Sequence, residues 1–320
     1  MITRTPYADL PRTLIDELTA AGLDPQAVYE HVALAFAEDL PGDGRDATSA
    51  AMPDMGYAVA DIAARSDGVV AGLAIAELAF VYALDREVEI TDRVADGTRV
   101  EPGEVVMTIA GPVKGVLTAE RTALNFASHL SGVATATSRW ADALHGTSAR
   151  VLDTRKTLPG WRALQKYAVR CGGGLNHRLS LVDRAMVKDN HAVAAGGAVA
   201  AYRKVLAANP GLRVEVEVMD LDELRAVLAA GCTEILLDNM SNEEMAEAVQ
   251  INRAAGGRAT LEASGGLTLE RARDVGATGV DFISVGALTH SVVVFDLGLD
   301  FRSEAAVTSL SPDAAPDVGR

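Results

Sequence analysis

The decapeptide DTRKTLPGWR, Asp153 to Arg162, follows the short apolar run ARVL and sets three cations, two threonines and an acid where a strand should end. Arginine forks match the oxygens of carboxylates and phosphates, and lysine adds a compact charge, so Arg155 and Lys156 read as anion ligands. Thr154 offers a hydroxyl or a backbone contact, and Asp153 and Arg162 read as structural. The charge extends beyond this stretch. Residues 121–190 hold eleven Arg and Lys against four acids, a local excess of seven, in a chain of net charge −15. Arg139, Arg150, Arg162, Lys166, Arg170 and Arg184 are expected on ordinary helix surface, whereas Arg155, Lys156 and Lys188 sit at strand ends.

The elements that must position these residues follow from periodicity. ARVLDT, RAMVKDN, RVEVEVMD, EILLDNM, ATLEASGG and DFISVGA read as strands. Helical stretches such as LDELRAVLAAG and SNEEMAEAVQINRAAGG lie between them and end in glycine, which suits a left-handed cap. Alternating strand and helix implies parallel strands with right-handed crossovers, so every strand carboxyl end faces the same way. The strand spacing, about 20–30 residues, suits a βα barrel or an open doubly wound sheet, and six strands rather than eight point to an incomplete TIM-like βα barrel, an α/β fold.

The strand ends then deliver Asp153 to Lys156, Lys188-Asp189-Asn190, Glu217, Asp238-Asn239, Ser264-Gly265-Gly266 and Val285-Gly286-Ala287 to one rim. A single Asp after a strand is commonly a helix cap; six polar or glycine-rich ends in succession point to a shared site. Cations come first, then carboxylates, then glycine loops. Glycine loops before a helix present backbone N–H groups to a phosphate. Glu217 and Asp238 suit ribose hydroxyls or a Mg²⁺ that bridges to phosphates. The pattern fits a phosphoribosyl donor held beside an acidic acceptor. His177, beside Arg178 after the flexible GGG, is expected in the site. The six histidines show no metal-ligand spacing, and no P-loop, Rossmann fingerprint, HExxH or paired CxxC occurs.

Composition limits the alternatives. Apolar residues make up 49% of 320 residues and aromatics 4%, which predicts a Val, Leu, Ile and Ala core. The acidic balance argues against nucleic acid and anionic membrane surfaces. Cys171 and Cys232 form no disulfide framework. VVAGLAIAELAFVYAL is too short for a membrane span and reads as a buried helix. With no signal-peptide pattern at the start, a soluble, cytoplasmic protein is expected. Residues 1–130 are expected to form an α+β N-terminal domain, joined by the C-terminal segment 291–308. Residues 131–290 should form the barrel, with a helix around 118–146 broken at Gly132, and 309–320 a disordered tail.

ERTALNFASHLSGVAT, DTRKTLPGWRALQKYAVRCGGGLNHR, VKDNH, EVEV, LLDNM, EASGGL and ISVGALTHS, in that order, resemble the carboxylating nicotinate-nucleotide pyrophosphorylases, or quinolinate phosphoribosyltransferases. The resemblance runs from about residue 30 to 295. It implies conversion of quinolinate and phosphoribosyl pyrophosphate to nicotinate mononucleotide, pyrophosphate and carbon dioxide, with Mg²⁺, as a step of NAD synthesis. It also implies a homodimer in which Arg121 reaches the partner's site. Arg155, Lys156, His177, Arg178 and Lys188 would surround the quinolinate carboxylates and the pyrophosphate, with Lys156, Lys188, Glu217 and Asp238 carrying the chemistry. Glu217 and Asp238 would meet the ribose and Mg²⁺, and Ser264, Gly265, Gly266, Val285, Gly286 and Ala287 would cradle the 5′-phosphate. Two alternatives are a phosphoribosyltransferase for nicotinate or another heterocycle, and a non-catalytic protein that binds a phosphoribosyl ligand.

Overall fold

The structure is a computed structural model that describes residues 2–41 and 44–302. The expectation for 309–320, and the end of the segment 291–308, fall outside the described residues. The chain divides into two compact units: residues up to Gly132 with those from Val294 onward, and Val133–Val293.

The first unit contains α1 (Arg12–Ala20), α2 (Pro25–Asp39), α3 (Ala47–Ala51), β1 (Tyr57–Ala64), β2 (Gly68–Val69), α4 (Leu73–Leu84), β3 (Glu89–Thr91), β4 (Arg99–Val100) and β5 (Val105–Pro112). Helix α5 (Val113–Ala143) leads into the second unit. There follow β6 (Arg150–Leu152), α6 (Arg162–Cys171), β7 (Ala185–Val187), α7 (Asp189–Ala195), α8 (Ala198–Ala208), β8 (Val214–Val218), α9 (Leu221–Ala229), β9 (Glu234–Asp238), α10 (Asn242–Ala254), β10 (Thr260–Ser264), α11 (Ala272–Ala277), β11 (Phe282–Ser284) and α12 (Ala287–His290). The last described strand, β12 (Leu297–Phe301), returns to the first unit and pairs antiparallel with β1, in a sheet of order β12-β1-β5-β3.

Local chemistry explains several boundaries. Helices α1 and α2 are separate because Gly22 turns left-handed (φ +74°) and Asp24 caps α2 by accepting from the Gln26 and Ala27 N–H groups. Helix α4 is buried at every position except Glu77, which pairs with Arg93 at 2.8 Å. Among the described residues, no helix is long and apolar enough to cross a membrane.

Contrary to expectation, α5 runs unbroken through Gly132. The neighbouring Ser131 is fully buried and its hydroxyl accepts from the Ala71 N–H at 2.9 Å. Gly72 (φ +84°) comes so near that a Cβ there would lie 2.7 Å from Leu130. Packing of this tightness outweighs the ~1 kcal/mol that glycine costs inside a helix.

The six strands of the second unit form one parallel sheet of order β6-β11-β10-β9-β8-β7. The first strand pairs with the last, so the sheet wraps around, while β6 and β7 do not pair. Beside β6, the segment after α6 makes a single parallel bridge, Leu152 to Leu175. The architecture is an incomplete α/β barrel with all strand carboxyl ends on one rim. The two-residue period sorts side chains: in β8, Glu215 and Glu217 share one face and Val214, Val216 and Val218 the other.

Candidate active site

The carboxyl ends of the strands surround a cavity of about 630 Å³. Thr154, Arg155, Lys156, His177, Arg178, Lys188, Glu217, Asp238, Ser264 and Gly265 line it, all residues expected at the rim. Met186, Asp189, Leu236, Asn239, Glu262 and Ser284 complete the lining. Gly266, Val285, Gly286 and Ala287 do not line the cavity, and neither does Arg121, which is exposed on α5 in the first unit.

The absence of the last loop from the cavity wall has a physical reason. Val285 is 4% exposed, committed to the core. A Cβ at Gly286 would lie 2.9 Å from Lys156 Cδ, so this glycine makes room for the lysine stem. The Thr289 hydroxyl donates to the Lys156 carbonyl at 2.8 Å, tying the same turn to the β6 loop. Across the rim, Gly265 (φ +89°) passes Asn239 so closely that a Cβ would fall 2.3 Å from Oδ1. Only glycine allows this approach of the β9 and β10 loops.

Within the cationic arc Arg155 and Arg178 are half-buried, whereas Lys156 and Lys188 are exposed. Arg155 Nε is buried with no hydrogen-bond partner, an N–H that an anion's oxygen would satisfy. Burial, together with the Arg155 charge, pushes the Arg178 guanidinium below its ordinary pKa. Arg178 Nη1 is oriented by donating to the Arg184 carbonyl at 3.2 Å. On the acidic side, Lys188 Nζ donates to Glu217 Oε2 at 3.0 Å, and Asn239 Nδ2 donates to Asp238 Oδ2 at 2.7 Å.

Beneath the rim lies a polar layer that the sequence reading misplaced. Lys166, expected on the helix surface, is 1% exposed and its ammonium bonds the fully buried Asp153. Asp153 also accepts from the His177 N–H at 2.9 Å and from Asn176 Nδ2 at 2.6 Å. Burial pushes Asp153 up and Lys166 down, each against the attraction of the other. Helix α6 buries an unusually wide arc, Leu164, Gln165, Lys166, Ala168 and Val169, and Lys166, one turn before Val169, lies at its edge. Arg184, also expected on a helix surface, lies in the segment before β7 and bonds Glu215 Oε1 at 3.1 Å.

His177 lines the cavity from this layer. Its Nδ1 accepts from the Arg178 N–H at 2.7 Å, while Nε2 lies 2.9 Å from Glu215 Oε2 and 3.5 Å from Glu262 Oε2. The sequence reading named neither Glu215 nor Glu262. Their signal was the strand period itself: an acid two residues before a rim residue, in EVEV and in LEAS, belongs to the same inward face one layer down.

Comparison with known proteins shows the family. The family "Quinolinate phosphoribosyl transferase, C-terminal domain" matches residues 133–300, and its N-terminal counterpart matches residues 46–131. The chain belongs to the quinolinate phosphoribosyltransferase family. A carboxylating nicotinate-nucleotide pyrophosphorylase of Mycobacterium leprae is 46% identical over 276 residues, spanning 86% of this chain and 97% of its own. A mitochondrial decarboxylating quinolinate phosphoribosyltransferase of Nicotiana glauca is 40% identical over 297 residues, spanning 87% and 83%. The structure of the nicotinate-nucleotide pyrophosphorylase from Francisella tularensis superposes with a TM-score of 0.82 at 38% identity, over 87% of this chain and 96% of that one. The boundary between the two family domains falls beside Gly132, where the chain also divides by contacts.

Proposed function

We propose that this chain transfers the phosphoribosyl group of phosphoribosyl pyrophosphate to quinolinate with loss of one carboxylate, giving nicotinate mononucleotide, pyrophosphate and carbon dioxide in NAD synthesis. The observation that carries the reading is one cavity that gathers four cations, Arg155, Lys156, Arg178 and Lys188, beside the carboxylates Glu217 and Asp238. Lys188 meets Glu217 at 3.0 Å, where the two sets join. A dicarboxylate beside a pyrophosphate uses that density of cations; a monocarboxylate would leave part of it unpaired.

The chemistry needs positioning and charge rather than a strong nucleophile. The pyridine nitrogen attacks C1′ as the bond to pyrophosphate breaks, through an oxocarbenium-like ribose. Arg155 and Lys156 hold the leaving group and a ring carboxylate, and Lys188 stands between the acceptor and Glu217. Ser264 and Gly265 receive the 5′-phosphate, and the turn of Gly266, Val285, Gly286 and Ala287 shapes that end from behind. Glu217 and Asp238 fit a Mg²⁺ ion: both are half-buried carboxylates on the same cavity wall, hard oxygen donors from neighbouring strands. When bound there, the ion would neutralise charge on the pyrophosphate.

Arg121 is exposed on α5 and outside its own chain's cavity, which supports a homodimer in which it completes the partner's site. The enzyme is assigned to the cytoplasm. Incubation with quinolinate, phosphoribosyl pyrophosphate and Mg²⁺ is expected to release carbon dioxide and nicotinate mononucleotide in equal amounts; neither product would remove the assignment. Mixing Arg121→Ala with Lys188→Ala protein, each inactive alone, is expected to restore part of the activity through dimers with one intact site. No recovery despite demonstrated subunit exchange would place the site within one chain.

A further inference from the structure

Asn239 lines the cavity although its place in the sequence should turn it away. Successive side chains of a strand point to opposite faces, so Leu236 and Asp238 at the end of β9 share the face that lines the cavity. A continued strand would send the next residue outward. Asn239 instead takes a left-handed backbone, φ +55°, which asparagine accepts more readily than most residues with a Cβ. That turn brings two neighbours in sequence onto one wall.

The Asn239 amide is held from two sides. Nδ2 donates to Asp238 Oδ2 at 2.7 Å, and a carboxylate, which accepts, selects the NH₂ end of the amide. Against the amide oxygen lies the backbone of Gly265, where a Cβ would fall 2.3 Å from Asn239 Oδ1 and 2.6 Å from its Cγ. The Asn239 N–H donates to the Ser264 carbonyl at 3.0 Å, which ties the ends of β9 and β10 together.

The turn alone does not account for this residue. Glycine would serve a left-handed position at lower steric cost. What glycine lacks is the amide between Asp238 and Gly265. In the reaction proposed above those two residues meet one molecule: Asp238 the ribose, and Ser264 with Gly265 the 5′-phosphate. Ribose and phosphate are joined covalently, so the groups that receive them must stand at a fixed spacing to engage both. A charge-assisted bond to Oδ2 orients the carboxylate and leaves Oδ1 for the ligand.

We propose that Asn239 is a positioning residue for the phosphoribosyl donor: its amide sets Asp238 against the Ser264–Gly265 turn, so that ribose and 5′-phosphate are engaged together. It acts through Asp238. The inference rests on the phosphoribosyltransferase reading, which supplies a ligand carrying both groups. Binding of quinolinate, which falls to the cations, does not depend on it.

Asn239→Gly tests it, because glycine keeps the left-handed turn and removes the amide. The KM for phosphoribosyl pyrophosphate is expected to rise about tenfold, the size of a hydrogen bond to a charged group, while the KM for quinolinate stays within about twofold. Calorimetric binding of nicotinate mononucleotide, which carries the ribose and the 5′-phosphate, should weaken by the same factor. In an Asp238→Ala background, adding Asn239→Gly is expected to change that affinity by less than about twofold, since the group it positions is gone. Wild-type KM values in Asn239→Gly, equal rises for both substrates, or an undiminished effect without Asp238 would each overturn the proposal. If the wild-type protein makes no nicotinate mononucleotide from quinolinate, the functional reading fails and the proposal with it, an outcome separate from these.

Discussion

Replacement of Lys166 by methionine is expected to destabilise the second unit by about 3–5 kcal/mol, the cost of leaving a buried charge without its partner. Lys166 is among the largest fully buried side chains, and its ammonium bonds Asp153 and the His177 carbonyl. Methionine fills nearly the same volume, so the loss reports charge rather than a cavity. Asp153 already has a raised pKa from burial, which Lys166 opposes. Without the lysine it takes up a proton or is strained, and the His177 N–H and Asn176 lose their acceptor's charge. The double variant Asp153→Asn with Lys166→Met removes both charges and is expected to recover more than half of the loss. Chemical denaturation of the wild type, Lys166→Met, Asp153→Asn and the double variant measures the coupling. A loss below about 1 kcal/mol for Lys166→Met, as for an exposed pair, would contradict the burial argument.

The largest expected effect on turnover belongs to Lys188→Ala, about a 10³-fold fall in kcat/KM. Two costs combine. A charged donor aimed at a carboxylate or phosphate is lost, worth 10²–10³ for a preorganised donor. Glu217, whose side chain is 9% exposed, also loses the ammonium 3.0 Å away and keeps an unpaired charge. Lys188 is half-exposed in the open cavity and lies far from the core, so stability is expected to change by less than 1 kcal/mol. Steady-state kinetics beside a melting curve separates the two. Near-normal kcat/KM, or a large loss of stability, would remove Lys188 from the substrate-binding arc.

The rim was legible in the sequence because a parallel sheet reduces its geometry to one rule. Once ARVL, RAMV, EVEV, EILL, LEAS and FIS read as strands, their following residues had to meet at one end. Thr154, Arg155, Lys156, Lys188, Glu217, Asp238, Ser264 and Gly265 in the cavity lining follow from that rule. Two kinds of feature escaped it. Lys166 and Arg184 are long cations with the composition of surface residues; only their packing partners, Asp153 and Glu215, distant in sequence, make them interior. Gly132 looked like a helix break because glycine weakens isolated helices, whereas buried contacts decide here. The turn at Gly286 shows the converse. Its glycine pattern suggested a phosphate loop, and the folded chain adds a contact the pattern could not show: the missing side chain leaves room for the stem of Lys156.

The central claim is that the cationic arc from Arg155 to Lys188 is built for two carboxylates. Competition between quinolinate and nicotinate for the same phosphoribosyl pyrophosphate and Mg²⁺ tests it most directly. Loss of one carboxylate leaves cations of the arc unpaired, the half-buried Arg155 and Arg178 among them, as when a site built to bond a group meets an analogue lacking it, which is rejected by about 10⁴. The account predicts a kcat/KM ratio of at least about 10³ in favour of quinolinate, with carbon dioxide released at each turnover. Equal turnover of the two acids would contradict it.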